Sequence, residues 1–132
     1  MRRQKITSAP DYQLRIIPHF DERHQKHTTL FVLETTASFA SFRYDLSVQV
    51  IHVGRTLRFE VLGLSTPKLS LPGAGQARFS TELEGLSGTF DLVVEGLDGV
   101  ENRATIKVST GRVELRNHKT AAGVIFIADR TQ

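Results

Sequence analysis

Short runs in which apolar and polar residues alternate are the feature that most constrains the fold of this chain. The clearest run is 104–116, with the sequence ATIKVSTGRVELR. Its central Thr110-Gly111 is a two-residue link that needs a positive φ, which glycine adopts without steric cost. Pairing the two arms across this link aligns Val108 with Val113, Ile106 with Leu115, and Lys107 with Glu114. One face is then wholly apolar, and the segment predicts an antiparallel β-hairpin.

The same alternation recurs along most of the sequence and predicts a fold built from strands. Further strands are predicted at 12–17, 29–36, 42–52, 57–61, 78–84, 89–95, 102–109 and 124–128. Pro18 is expected to end the first of these strands. The polar segment 18–28, the small-residue segment 35–41 and the Pro/Gly-rich segment 63–76 are expected to be connections. No segment of useful length has the period of a helix.

Turn residues between apolar rows predict two more hairpins. A turn at Val53-Gly54 places Val50 opposite Leu57 on the buried face. A turn at Ser87-Gly88 joins the strand 78–84 to the strand 89–95 in the same way. Both hairpins extend the antiparallel pattern of the first.

The segment 86–108 resembles the last two strands of immunoglobulin-like or fibronectin-type domains. Those domains often show Leu-x-Gly-x-Tyr just before the strand and an Asp-Gly turn after it. Leu86 and Gly88 match, Phe90 replaces the tyrosine, and Asp98-Gly99 supplies the turn. The resemblance implies a fold and no activity. We expect an all-β antiparallel β-sandwich of eight to ten strands, immunoglobulin-like in general form, with a meander β-barrel as the alternative.

Length and composition limit the classes of protein to which the chain can belong. Its 132 residues predict a single all-β domain over 11–132 after a flexible basic N-terminus at 1–10. The absence of cysteine excludes a disulfide framework, a thiolate nucleophile and a thiolate zinc site. Arg2, Arg3 and Lys5 account for the net charge of +3, so nucleic-acid binding is not expected. No apolar run has the length of a signal peptide or the ~18 residues of a membrane span, which favours a cytoplasmic protein without a membrane partner.

Three histidines in the segment 18–28 are candidate metal ligands. His19, His24 and His27 occur with two acids, Asp21 and Glu22, between the first two of them. Imidazole and carboxylate groups suit zinc, nickel or copper, and a loop could bring them together. Their spacing does not place all three on one side of a strand or a helix. Solvated loop histidines are the alternative interpretation.

The acidic segment 79–102 is the second candidate site. It contains six acids and no base. The predicted hairpin places Glu84 opposite Asp91 on the solvent face, a like-charge pair that would cost stability. Glu82, Glu84 and Asp91 are therefore a possible exposed site for a cation or a basic partner. Neutralisation by basic residues on neighbouring strands is the alternative.

No residues show the spacing of a catalytic arrangement, so we expect a protein that is not an enzyme and uses no cofactor. The first hypothesis is a binding or interaction module with a protein partner, which would contact loops at one end, such as 18–28 and 63–76, or an exposed edge strand. A second hypothesis is a carrier of a small apolar ligand in a barrel pocket, lined by Phe42, Tyr44, Phe59, Phe79 and Phe90. A metal-binding protein that uses the 18–28 histidines is the third. The sequence leaves the oligomeric state open.

Overall fold

A computed structural model describes residues 12–39, 45–65, 75–116 and 124–128 of the chain. These residues form nine strands and no helix. The strands are β1 (Tyr12–Asp21), β2 (Lys26–Phe39), β3 (Asp45–Val53), β4 (Thr56–Ser65), β5 (Gly75–Glu84), β6 (Gly88–Glu95), β7 (Glu101–Ser109), β8 (Arg112–Arg116) and β9 (Val124–Ala128). The all-β class and the expected number of strands are confirmed.

The nine strands form one mixed sheet that curls into a nearly closed barrel. Their order is β8-β7-β6-β4-β3-β5-β2-β1-β9, and the two outermost strands, β8 and β9, approach each other. Three neighbouring pairs are parallel, β1–β9, β3–β5 and β4–β6, so the sheet is not the antiparallel one that was expected. The described strands therefore resemble the barrel alternative more than a sandwich of two separate sheets.

One weak join divides the sheet into two parts. Among the described residues, which begin again at Asp45, β3 and β5 share one bridge, Asp45 with Arg78, whereas the other neighbouring strands pair over five or more positions. On one side of this join lie β8, β7, β6, β4 and β3, and on the other lie β5, β2, β1 and β9. The barrel thus keeps part of the two-layer character that the alternation of the sequence suggested.

Apolar side chains from both parts of the sheet meet inside the barrel. The innermost positions are fully buried: Leu14, Ile16, Phe31, Leu33, Leu57, Phe59, Leu92, Val94, Ile106 and Val124. Because strand side chains alternate between faces, these residues occur at every second position of their strands. The rings of Phe31 on β2 and Phe59 on β4 lie 5.3 Å apart and join the two parts of the sheet.

The β7–β8 hairpin is confirmed in full detail. Val108 pairs with Val113 and Lys107 pairs with Glu114. Gly111 has a φ of 66°, the left-handed conformation for which glycine was assigned to the turn. Local turn chemistry and the apolar face together fix this register.

The predicted register of the β3–β4 hairpin was wrong by one position in the turn. The two turn residues are Gly54 and Arg55, so Val50 faces Phe59 rather than Leu57. The same apolar residues still face inward, because a shift of one turn position moves each pair by two residues and keeps the face. Glycine takes a positive φ of 58° as the first turn residue rather than the second.

The hairpin predicted between 78–84 and 89–95 does not form. β5 pairs with β2, and β6 pairs in parallel with β4 and antiparallel with β7. The segment 86–108 does form two antiparallel neighbours, as its resemblance to immunoglobulin-like domains implies, but they belong to a mixed barrel. Alternation shows which face of a strand is buried and does not identify its neighbour, so the consecutive strands were paired incorrectly.

Residues 18–28 form a long hairpin instead of the expected loop. β1 continues through Pro18 to Asp21, and β2 starts at Lys26 and reaches Phe39. The described residues of β9 pair with 12–16 of β1, and Pro18 lies beyond this pairing, where a missing backbone N–H is tolerated. Asp21 accepts the backbone N–H of Arg23 at 3.1 Å and thereby shapes the four-residue turn.

Four chain reversals lie together at one end of the barrel, which we call the hairpin end. They are residues 22–25, 54–55, 85–87 and 110–111. The β6–β7 turn and the strand ends flanking 40–44, 66–74 and 117–123 lie at the opposite end. The predicted contact segment 18–28 lies at the hairpin end, whereas the strand ends that flank 66–74 lie at the opposite end; residues 66–74 themselves lie outside the described residues. The described residues contain no helix long and apolar enough to cross a membrane.

Candidate functional site

A small cavity of about 100 Å³ opens at the hairpin end and is the candidate site of this protein. Three separate parts of the chain line it: Pro18 with residues 27–29, residues 86–87 of the β5–β6 link, and residues 108–112 around the β7–β8 turn. We call it the hairpin-end cavity. Its lining contains hydroxyl side chains, one histidine and one arginine, and no carboxylate.

His27 occupies the side of the cavity that β2 provides. It is the register partner of Phe20, and the two rings lie 4.8 Å apart. Its imidazole also lies over Gly111, since a Cβ atom at that glycine would be 3.7 Å from the ring. The contacts with Phe20 and the β7–β8 turn hold the ring at the mouth of the barrel.

Arg55 supports the cavity from the β3–β4 turn. Its guanidinium lies over the ring of Phe90 at 4.8 Å and donates a hydrogen bond of 2.5 Å to the carbonyl oxygen of Ser87, a lining residue. The carbonyl oxygen of Arg55 in turn accepts the N–H of Asp91 at 2.8 Å. A stacked, hydrogen-bonded guanidinium is held in place at low entropic cost and carries positive charge to the edge of the cavity.

Arg112, at the start of β8, also lines the cavity, and its guanidinium is paired with Glu114. It lies 3.4 Å from Glu114, which also pairs with Arg116 at 2.9 Å and faces Lys107 across the β7–β8 ladder. These cations lower the pKa of Glu114, Arg116 chiefly through its hydrogen bond. The single negative charge of Glu114 therefore neutralises only part of the positive charge of Arg112, Arg116 and Lys107, and this part of the barrel keeps an excess of positive charge.

The three histidines proposed as metal ligands are not brought to one point. His19 lies on β1 opposite Thr28, while His27 lies opposite Phe20 and on the other face of the sheet. His24, in the turn, approaches Asp21 with its Nδ1 at 2.8 Å from Oδ2, and this hydrogen bond lowers the pKa of Asp21. Within the described ranges no group of three His, Asp or Glu residues could hold a metal ion.

The three carboxylates proposed as an acidic site are also separated. Glu82 and Glu84 lie on β5 and pair with β2, where they contact Thr28 and Lys26 at 2.5 and 3.2 Å. Asp91 lies on β6 and accepts a hydrogen bond from Thr105 at 3.3 Å. Two strands, β4 and β3, lie between β6 and β5 in the sheet. The β5–β6 hairpin that would have brought Glu84 opposite Asp91 does not form among the described strands.

A like-charge pair of the expected kind does occur, at Glu95 and Glu101. These residues face each other across the β6–β7 ladder. Arg58 on the adjacent β4 lies between them, with Nη2 at 2.5 Å from Glu95 and 2.7 Å from Glu101, and its Nε contacts Glu60 at 2.7 Å. Arg103 adds a contact of 2.8 Å to Glu101. We call these five residues the outer network.

The outer network should make stability depend on pH in the acidic range. Arg58 first, and then Arg103, lowers the pKa of Glu101 below its ordinary value of 4.5. A lowered folded-state pKa contributes stability that is present above pH 4.5 and is lost as the pH falls through the folded-state value. We expect Arg58→Met to destabilise the protein above pH 4.5 and to differ progressively less from the parent at lower pH, as measured by urea unfolding at several pH values.

Arg103→Met is the matched control for this experiment, because it removes one contact to Glu101 and leaves Arg58 in place. Its effect should be smaller at every pH. An equal loss of stability in the two variants, or a loss for Arg58→Met that does not change with pH, would show that Arg58 does not relieve the carboxylate repulsion.

Packed side chains fill the described part of the barrel where a carrier would hold its ligand. Of the five aromatic residues predicted to line a pocket, Phe59 and Phe90 are core residues and Phe79 packs against the core. Phe42 and Tyr44 lie outside the described residues. Asn102 is a polar side chain buried on the inner face, and its Oδ1 has no hydrogen-bond partner in the described part of the structure.

Sequence analysis found one residue of the cavity, His27, and assigned it to a different kind of site. It missed Arg55 and Arg112, because a lone arginine beside a turn glycine has no distinctive signal. Comparison with protein-family models, with curated proteins and with solved structures found no match to this chain. Function must therefore be argued from the geometry of the described residues.

Proposed function

We propose that this protein is a non-enzymatic binding module that engages its partner through the hairpin end of the barrel. The observation that carries the proposal is the hairpin-end cavity, which combines hydroxyl, imidazole and guanidinium groups and has no carboxylate in its lining. Binding sites are commonly concave and place a few polar groups on a rigid scaffold. Loops held by a sheet are frequent carriers of such sites.

The turns that surround the cavity are fixed by contacts of their own, which supports a binding role. Asp21 holds the β1–β2 turn through the backbone N–H of Arg23, and Arg55 ties the β3–β4 turn to Ser87. The β7–β8 turn is fixed by the strand pairs that continue up to it, the last of which is Ser109 with Arg112. A surface that is already ordered loses little conformational entropy on binding, and the affinity gains accordingly.

A protein is the expected class of partner, and the cytoplasm is the expected location. The hairpin end combines cationic and apolar groups, since Phe20 and Val53 are exposed beside Arg55 and Arg112. Exposed aromatic and arginine side chains are enriched in protein interfaces. Packed side chains in the barrel favour this proposal over a carrier of apolar ligands.

Site-specific photo-cross-linking in the native host tests the proposal. A photoreactive amino acid at Ser109, beside the cavity, should give a discrete cross-linked product. The same amino acid at Arg103, on the outer network, is the matched control and should give none. Equal products from both positions, or a product from Arg103 alone, would overturn the assignment of the binding surface to the hairpin end.

A further inference from the structure

We infer that the hairpin-end cavity binds an oxyanion group, such as the phosphate of a small molecule or of a phosphorylated ligand. The inference rests on the proposed function and specifies the chemistry of its site. It follows from the charge, the donors and the size of the cavity.

The charge around the cavity favours an anion. Arg112 belongs to the lining, and Arg55 is fixed against another lining residue, Ser87. Of the acids at this end, Asp21 and Glu84 are paired with His24 and Lys26, and Glu82 accepts the hydroxyl of Thr28. A buried or partly enclosed anion is stabilised by cations close to it, while a cation would find no carboxylate in the lining.

The donors in the lining suit oxygen atoms that carry negative charge. The lining includes four further residues that carry hydroxyl groups: Ser87, Ser109, Thr110 and, on β2, Thr29. Hydroxyl and guanidinium groups donate hydrogen bonds to phosphate, and those to a charged acceptor are roughly twice as strong as neutral ones. Thr28 is excluded from this set because its hydroxyl already donates to Glu82 at 2.5 Å.

Arg112 has the freedom to turn towards a ligand. Its side chain is 70% exposed, and its ion pair with Glu114 is long at 3.4 Å. Exposed ion pairs contribute little stability, so exchanging the carboxylate for a bound oxyanion costs little. Glu114 would retain its shorter contact with Arg116.

The size of the cavity limits the ligand to a small group. A volume of about 100 Å³ exceeds the space required by one water molecule several-fold but is below the 300–1,000 Å³ of pockets that enclose a drug-sized molecule. The cavity therefore holds a terminal group, and the remainder of a larger ligand would extend over the hairpin end. This geometry suits both free phosphate and a phosphate monoester.

NMR titration of the whole chain at constant ionic strength tests the inference, with inorganic phosphate and O-phosphoserine as the two probes and chloride as the balancing ion. We expect saturable one-to-one binding, with backbone shifts concentrated at residues 27–29, 86–87 and 108–112. A stronger response to O-phosphoserine would identify a monoester as the source of the group, and a stronger response to phosphate would identify the free ion. Shifts that grow linearly without saturation, or that occur equally at all exposed arginines, would overturn the inference.

Two pairs of variants make the titration specific. Arg112→Ala and His27→Ala should each weaken binding by about 10-fold or more, because each removes a polar or charged partner of the anion. The controls are Arg116→Ala, which removes the other arginine that pairs with Glu114, and His19→Ala, which removes a histidine on the opposite face. The affinity of both control variants for the probes should stay within about two-fold of that of the parent. Equal losses in the test and control variants would overturn the inference. Far-UV circular dichroism checks that each variant is folded, and His27→Gln replaces His27→Ala should the latter unfold.

The two proposals fail separately, because photo-cross-linking at Ser109 uses no phosphate. A cross-linked product without saturable phosphate or phosphoserine binding leaves the hairpin end as the partner surface and removes the oxyanion site. Saturable binding without a Ser109 product removes the proposed partner surface and leaves an oxyanion site.

Discussion

Replacing Phe31 with alanine is expected to lower the free energy of unfolding by about 3–5 kcal/mol. Phe31 is fully buried, and its ring lies 5.3 Å from that of Phe59. The substitution removes apolar contacts and leaves a cavity at the position where the two parts of the sheet meet. Since small domains are stable by only about 5–15 kcal/mol, the loss should be evident as a lower urea midpoint.

Phe20→Ala is the matched control for the aromatic substitution. Phe20 also lies on the β1–β2 hairpin, but it is 37% exposed and its nearest ring is that of His27. Its removal should cost much less than the removal of Phe31, because less apolar surface returns to water. Equal losses in the two variants would show that Phe31 does not hold the halves of the barrel together.

The parts of the fold that sequence predicts well are those determined by neighbouring residues. The β7–β8 register follows from Gly111 and from an apolar row on each arm, and both signals lie within thirteen residues. β9 was predicted from VIFIA at 124–128, whose apolar run marks a buried strand. These elements needed no knowledge of the remaining chain.

The pairing of distant strands was less predictable. The alternation of apolar and polar residues indicates which face of a strand is buried, but it does not indicate which strand lies next to it. Phe90, Leu92 and Val94 face the core equally well beside β4 or beside β5. The charges hold a further signal: Arg58 on β4 neutralises Glu95 on β6, and such complementarity favours the β4–β6 pair over the β5–β6 pair. The net charge of a single segment does not reveal this complementarity, because Arg58 and Glu95 are far apart in sequence.

The hairpin-end cavity has the same origin. His27, Ser87 and Arg112 meet only because β1–β2, β5–β6 and β7–β8 all reverse at one end of the barrel. The histidines could be found in the sequence as a cluster, but strand alternation divides His19 from His27. A site assembled from three distant segments depends on the sheet order, which was the least predictable property of this chain.

Arg78 contacts both neighbours of β5. Its backbone pairs with Asp45, the first described residue of β3, and its Nη2 lies 3.6 Å from Oε2 of Glu34 on β2. The side chain of Glu34 is only 6% exposed, while that of Arg78 is 61% exposed. A nearly buried carboxylate therefore depends on a cation that approaches it from the surface.

Arg78→Ala is expected to lower the free energy of unfolding by about 1–3 kcal/mol, since it leaves a buried acceptor without its charged partner. Adding Glu34→Gln to this variant should restore part of the loss, because a neutral amide needs no cation. Arg103→Ala removes an arginine of similar exposure that pairs with the more exposed Glu101, and its effect should be much smaller.

Hydrogen exchange shows where the Arg78→Ala variant opens. Backbone amides of β2 and β5 near Glu34 and Arg78 should exchange faster than in the parent, because the lost ion pair joins these two strands, while the β7–β8 hairpin on the far side of the sheet keeps its protection. Uniform acceleration in all strands, or a double variant no more stable than Arg78→Ala, would contradict the role assigned to the Arg78–Glu34 pair. Faster exchange confined to β2 and β5 would mean that the Arg78–Glu34 pair holds β5 to β2, the strand beside which it lies in the sheet.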